Sequence, residues 1–159
     1  MNLSIIAAIG KNNELGKNND LIWRFKDDMR FFQNMTIGNK VVMGRKTFES
    51  LPGLLVDRKH IVITRSLIEF PKEVEVFHDI FSFLDKYADS DEEIFDIGGA
   101  SIYEALLDYA DNLYLTEIND SKEADVYFPY FDKKNYDRKE LCFHEENNID
   151  FKHVLYKRR

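Results

Sequence analysis

Asp28 lies in Trp23-Arg24-Phe25-Lys26-Asp27-Asp28-Met29-Arg30-Phe31-Phe32, one acid set among apolar side chains. A carboxylate in such a setting offers two oxygens side by side, which can grip a flat, donor-rich heterocycle in an apolar cleft. A second segment, Val41-Val42-Met43-Gly44-Arg45-Lys46-Thr47-Phe48-Glu49-Ser50, runs as a short apolar strand, breaks at a glycine and opens into a polar helical start. Backbone donors and two cations at such a start suit a phosphate, though a generic surface turn has the same composition. Ile97-Gly98-Gly99-Ala100-Ser101-Ile102-Tyr103 places paired glycines at a strand-to-helix junction, without the G-x-G-x-x-G spacing of the Rossmann fingerprint. Ordinary readings compete with each of these. From its helix alone Asp28 is a solvated acid beside Asp27, because Asp is mostly exposed.

These residues need elements to position them. Apolar Phe25, Met29, Phe32 and Met35 recur at helical spacing and predict a helix over residues 26–35, with Asp28 beside the apolar stripe. Residues 3–9, apolar on both faces, predict a central strand of a doubly covered sheet. Residues 10–20, rich in Asn, Lys and Gly, predict a long loop. Strands are expected at 40–43, 60–64 and 74–77, with a helix over 45–51 between the first two. Asp79 is a natural N-cap for a helix carrying Ile80, Phe83, Leu84 and Tyr87 on one face. A strand at 94–97 leads through Gly98-Gly99 into a helix over 100–107, and strands recur at 112–118, 136–144 and 151–157. The alternation followed by a run of strands predicts an α/β fold, a mostly parallel sheet finished by an antiparallel hairpin.

Length and composition narrow the function classes. At 159 residues the chain fits one domain, 1–159, so any active site is a cleft within one fold. A net charge of −7 argues against a general nucleic-acid or anionic-membrane surface, so an anionic ligand needs a local basic patch. Cys142 is the only cysteine, which excludes an intramolecular disulfide and a thiolate metal cluster and points to a reducing cytoplasm. It falls in an apolar strand pattern and is expected to be a small core residue. His60, His78, His144 and His153 lack ligand spacing, so no metal is expected. No apolar run is long enough to span a bilayer, and the first strand lacks the basic lead of a signal peptide.

The whole chain, from Ile6-Ala7-Ala8 through Asp125-Val126-Tyr127-Phe128-Pro129, resembles the dihydrofolate reductases. In that family a Trp is followed five positions later by the active-site acid and four after that by an aromatic. Trp23, Asp28 and Phe32 match this register, and Asp27 does not. The resemblance implies a single domain with an eight-stranded, mostly parallel sheet and helices on both faces. It also implies NADPH-dependent reduction of 7,8-dihydrofolate, by hydride transfer to pterin C6 and protonation at N5, in one-carbon metabolism. Asp28, with Thr116 bonding it and Leu21 and Trp23 from the loop, would form the catalytic group. Enclosure by Ile6, Met29, Phe32 and Ile97 should raise the acid's pKa. Ala7, Ala8, Leu51, Leu55 and Tyr103 would complete the substrate pocket, and Arg58 would clamp the glutamate α-carboxylate.

For the cofactor, the resemblance assigns Gly44, Arg45, Lys46 and Thr47 to phosphate and Thr64, Arg65 and Ser66 to the adenosine 2′-phosphate, hence NADPH over NADH. Ile97, Gly98, Gly99, Ala100, Ser101, Ile102 and Tyr103 would approach the nicotinamide and pyrophosphate. Ala8, Ile9, Leu15, Gly16 and Asn19 would lie beside the nicotinamide, under a loop of residues 10–24 that closes over it. Ser101 stands where some relatives carry an Arg, which shifts cofactor charge onto Arg45 and Arg65. Leu21-Ile22-Trp23 lacks the Pro that relatives usually place before the Trp, so the loop loses that φ restraint. Expected partners are dihydrofolate and antifolates such as diaminopyrimidines, with no nucleic acid or membrane, in a cytoplasmic monomer. A pterin or riboflavin-pathway reductase of the same superfamily need not keep Asp28 and Arg58, and a silent nucleotide-binding module would have a missing acid or a blocked pterin pocket.

Overall fold

Segments that are apolar on both faces become the middle of the sheet, because helices cover it from two sides. Leu3, Ile5, Val41, Val42, Met43, Ile61, Val62, Ile94 and Phe95 are buried. The computed structural model describes residues 1–159. Its elements are β1 (Asn2–Ile9), β2 (Glu14–Lys17), β3 (Asp20–Leu21), α1 (Lys26–Thr36), β4 (Lys40–Gly44), α2 (Arg45–Ser50), β5 (Lys59–Ile63) and β6 (Glu75–Phe77). They continue as α3 (Ile80–Tyr87), β7 (Glu93–Asp96), α4 (Ala100–Leu106), β8 (Asn112–Ile118), β9 (Val126–Tyr127), β10 (Tyr136–Glu146) and β11 (Ile149–Arg158). The eight-stranded sheet has the order β10-β11-β8-β1-β7-β4-β5-β6. Neighbours from β8 to β6 pair in parallel, and β11 and β10 close the other end antiparallel.

The sheet divides the core. On one face α3 and α4 contribute Phe83, Tyr87, Ile102 and Leu106 to a cluster with Leu3, Ile5, Val42 and Ile61. On the other, Phe31, Phe32 and Met35 of α1 and Phe48 of α2 cover Ile6, Val41, Met43, Val62 and Phe95. Each such large side chain removed from water stabilises the fold by about 1.5–3 kcal/mol before entropy is charged against it. The helix starts are set locally. Asp79 accepts the Ser82 backbone N–H at 2.8 Å and caps α3, while Asp27 and Asp28 in the first turn of α1 complement its dipole.

Register creates the crevice. β7 pairs with β1 only as far as Ile5↔Asp96 and with β4 only as far as Val42↔Asp96, whereas β1 continues to Ile9 and β4 to Gly44. Beyond Asp96 the carboxyl ends of β1 and β4 therefore part around the Ile97-Gly98-Gly99 turn, the position where open α/β sheets bind ligands.

Three expectations need correction. Residues 10–20 are not a plain loop, because β2 pairs with β3 and with β9 to make a second, three-stranded sheet. Cys142 is exposed rather than in the core, since it lies on the edge strand β10 just after a register shift between Glu140 and Cys142. Met29 is 45% exposed, so it leaves one side of the acid open rather than enclosing it.

Candidate active site

The β8 hydroxyl and the α1 acid meet across the crevice. Thr116 Oγ1 donates to Asp28 Oδ1 at 2.6 Å, and the Asp28 side chain is 22% exposed. Burial pushes the Asp28 carboxyl above its usual range, and the Thr116 bond and the nearby His144 hold it back. Asp27, one position earlier, turns away to Arg30 and His144, each at 3.3 Å. The structure therefore gives the two adjacent acids different partners.

Between the parted strands, the Tyr103 hydroxyl donates to the Ile6 carbonyl at 2.8 Å, which supplies a bond that β7 no longer gives. Alternate strand residues direct their amides to the same edge, so the N–H and C=O of Ala8 face the crevice too. Gly44 N–H donates to Gly98 C=O at 2.8 Å, tying the two glycine junctions together. Gly98 has φ +112, and a Cβ there would lie 3.2 Å from the Tyr103 ring, so both conformation and space call for glycine. Neither α2 nor α4 has a side-chain cap, so the first N–H groups of both starts have no side-chain acceptor and can meet an anion.

Cations surround these starts. Arg45 reaches Glu49 at 2.9 Å while Lys46 and Arg65 are exposed. Thr64 Oγ1 accepts the Ser66 N–H at 3.1 Å, and His78 Nδ1 lies 2.8 Å from the Thr64 carbonyl. No signal in the sequence places His78 at this turn, because the β5–β6 pairing brings it there. Arg58 is held at the far end of α1, where Nε donates to Thr36 Oγ1 at 3.1 Å and a terminal nitrogen bonds the Gln33 side chain. Leu55 N–H donates to His60 Nε2 at 3.0 Å, which fixes the 51–57 loop above the crevice.

The loop over the cleft is anchored by residues that its composition did not reveal. Trp23 Nε1 donates to Asp120 Oδ2 at 3.0 Å, and Asn18 N–H donates to Asp125 Oδ2 at 2.9 Å. Glu14 is buried and accepts from Asn12 N at 2.7 Å, Ser121 Oγ at 2.7 Å and Lys122 N at 3.0 Å. Burial pushes its carboxyl up, but the hydrogen bonds from Ser121 and the backbone outweigh this and hold it below the ordinary value. A Cβ on Gly10 would come within 2.5 Å of both Glu14 Oε1 and Trp23 Cη2, so glycine is required there. Leu21, by contrast, is 51% exposed.

Glu14→Ala should therefore strand three donors and cost about 1–3 kcal/mol in urea unfolding, with slower hydride transfer as the loop loosens. Because the folded pKa is depressed, the stability Glu14 gives is present above its unfolded pKa and is lost as pH falls through the folded one. The wild type should lose this increment on acidification, and an acid-side stability curve identical in the variant would remove Glu14 from the role.

The family model described as dihydrofolate reductase matches residues 2–158. The chain belongs to the dihydrofolate reductase family. It is an NADPH-dependent oxidoreductase that reduces dihydrofolate. Dihydrofolate reductase of Bacillus subtilis is 36% identical over 160 residues, covering 99% of this chain and 95% of the relative. The Haemophilus influenzae enzyme is 36% identical over 150 residues, with 94% and 91% covered. Dihydrofolate reductase from Enterococcus faecalis, solved in complex with NADP(H) and RAB-propyl, superposes with a TM-score of 0.87 at 28% identity, covering 99% of this chain and 96% of that one. The eight-stranded sheet with an antiparallel end is thus the family fold. No helix is long and apolar enough to cross a membrane.

Proposed function

We propose that the crevice seats NADPH along the carboxyl ends of β4, β5 and β7, and 7,8-dihydrofolate between α1 and the sheet. The observation that carries this reading is the Asp28–Thr116 pair beside the opened edge of β1. The residues fit the cofactor. Uncapped helix starts and Arg45, Lys46 and Thr47 suit the pyrophosphate, Thr64, Arg65 and Ser66 with His78 suit the 2′-phosphate, and the Ala8 amide edge suits a carboxamide. When bound, the reduced nicotinamide supplies the hydride that reaches pterin C6.

The protein's own groups bind, orient and manage the proton. Asp28 accepts the pterin N3–H and 2-amino group, while Thr116 holds the carboxyl in place. Its raised pKa keeps a proton available at the cleft for delivery to N5. Ile6, Phe32 and Ile97 form the apolar walls, and the anchored loop of residues 10–24 excludes bulk water. Arg58 takes the glutamate carboxylate. Residues 1–159 act as one domain, and a cytoplasmic, monomeric enzyme is part of this reading, the reducing compartment being the one in which the unpaired Cys142 thiol stays free.

Loss of nicotinamide absorbance on mixing NADPH with dihydrofolate tests the reading, and an Arg65→Leu variant tests the cofactor pocket. That variant should bind NADPH more weakly by roughly 10–100-fold, because a charge-assisted fork is lost. NADH affinity should be unchanged. Equal losses for both cofactors would remove Arg65 from 2′-phosphate recognition.

A further inference from the structure

Thr116 stands between two partners, and its proton count fixes how they are linked. A hydroxyl has one hydrogen to give. Oγ1 lies 2.6 Å from Asp28 Oδ1 and 3.1 Å from His153 Nδ1. When the hydrogen goes to the carboxylate, His153 must donate through Nδ1. When it goes to His153 instead, the neutral ring must carry its own proton on Nε2. Nε2 is buried and has no hydrogen-bond partner, and His153 as a whole is 1% exposed. A buried N–H without an acceptor is strongly disfavoured, and an unused ring lone pair is tolerated better. We infer that His153 is a positioning residue for the active-site acid: it keeps its proton on Nδ1, donates to Thr116, and so aims the Thr116 hydroxyl at Asp28 in favour of the ionised carboxylate.

The packing holds this arrangement. The His153 ring stacks on Phe31 of α1 with centroids 4.0 Å apart and planes 13° apart, and it meets Phe151 at 5.9 Å. The titratable groups that face it are Asp27 and Asp28 from α1 and His144 from β10, whose ring lies 5.0 Å away edge-on. Thr116 from β8 adds no charge. Burial, reinforced by His144, lowers the His153 pKa to about 4, so the ring is neutral at higher pH and acts through its bond rather than its charge. A donor feeding Thr116 polarises the Thr116 hydroxyl and strengthens its bond to the carboxylate. The chain therefore opposes the upward push of burial on Asp28.

The inference rests on the reading of Asp28 as the acid, and its test separates the two. In the wild-type enzyme, ¹⁵N chemical shifts of the His153 ring should show Nδ1 protonated and Nε2 bare. His153→Phe keeps the ring and the stack but has no donor, and the midpoint of its single-turnover hydride-transfer profile should move to higher pH by roughly 0.5–1 unit. His153→Asn keeps a donor near the Nδ1 position and should retain the wild-type midpoint. An Nε2–H tautomer in the wild type overturns the inference without any variant having to fold. So does a His153→Phe midpoint that stays or falls while Asp28→Asn still abolishes the titration. A wild-type profile that Asp28→Asn leaves unchanged refutes the role of Asp28 itself, and the ring tautomer then still reports whether the chain exists.

Discussion

Asp28→Asn is expected to slow single-turnover hydride transfer by on the order of 10²–10⁴-fold and to abolish its decline with rising pH. The amide can still accept the Thr116 hydrogen through Oδ1, so the local fold should survive. Its Nδ2 then points donors at the pterin donors, and both the grip and the titrating proton are lost. The sign follows from the raised pKa of the wild-type acid. Protonated Asp28 supports delivery to N5, so the wild-type rate is full below that pKa and falls as pH rises through it. Residual activity of the variant should instead climb toward acid, as solvent protonates the substrate directly. NADPH affinity should be unchanged, because the acid does not reach the cofactor. Asp27→Asn is the control, since Asp27 is occupied by Arg30 and His144. If Asp27→Asn were crippled and Asp28→Asn normal, the site assignment would be wrong.

Arg58→Leu should weaken dihydrofolate binding by about 2–3 kcal/mol, roughly 30–150-fold in Kd, with hydride transfer from the saturated complex little affected. Arg58 is not a loose surface charge, because Thr36 and Gln33 fix two edges of its guanidinium before any ligand arrives. A pre-oriented fork pays less entropy on meeting a carboxylate. A diaminopyrimidine without a glutamate tail never forms this ion pair, and its Kd should stay within the error of a fluorescence titration. Matching losses for both ligands would indicate damage to the end of α1, where Thr36 also donates to Phe32 C=O at 2.8 Å.

The legible parts of the chain were those written in local pattern. Residues apolar on both faces became the central strands, Asp79 capped α3, and β8 has the predicted bounds Asn112–Ile118. Asp28 and Thr116 could be paired because the family register named both, yet 88 positions separate them and no local rule joins them. The illegible parts depend on distant pairing. β2 forms a local hairpin with β3, but the second sheet is completed by Glu14 and Gly16 meeting Tyr127 and Val126, a contact that no window around residues 10–20 contains. Cys142 sits in an apolar pattern, but β10 is the edge strand and residues 137–143 are exposed on both of its faces, a matter of strand order that no local pattern contains. His153 had a usable signal: it follows Phe151 by two positions on β11, so it shares an inward face and a buried imidazole was readable from period two.

Trp23 is the only tryptophan among eight tyrosines, and it is packed at the seam between the residue 10–24 loop and the 119–125 segment. Light at the red edge of aromatic absorption, where tyrosine is transparent, therefore excites a single chromophore in a single place. Its emission is an unlabelled optical gauge of that seam. Release of the indole from Asp120 into water would shift the emission to longer wavelength, and a nicotinamide bound nearby would quench it by energy transfer. One cuvette signal would thus report both release of this seam and arrival of the cofactor.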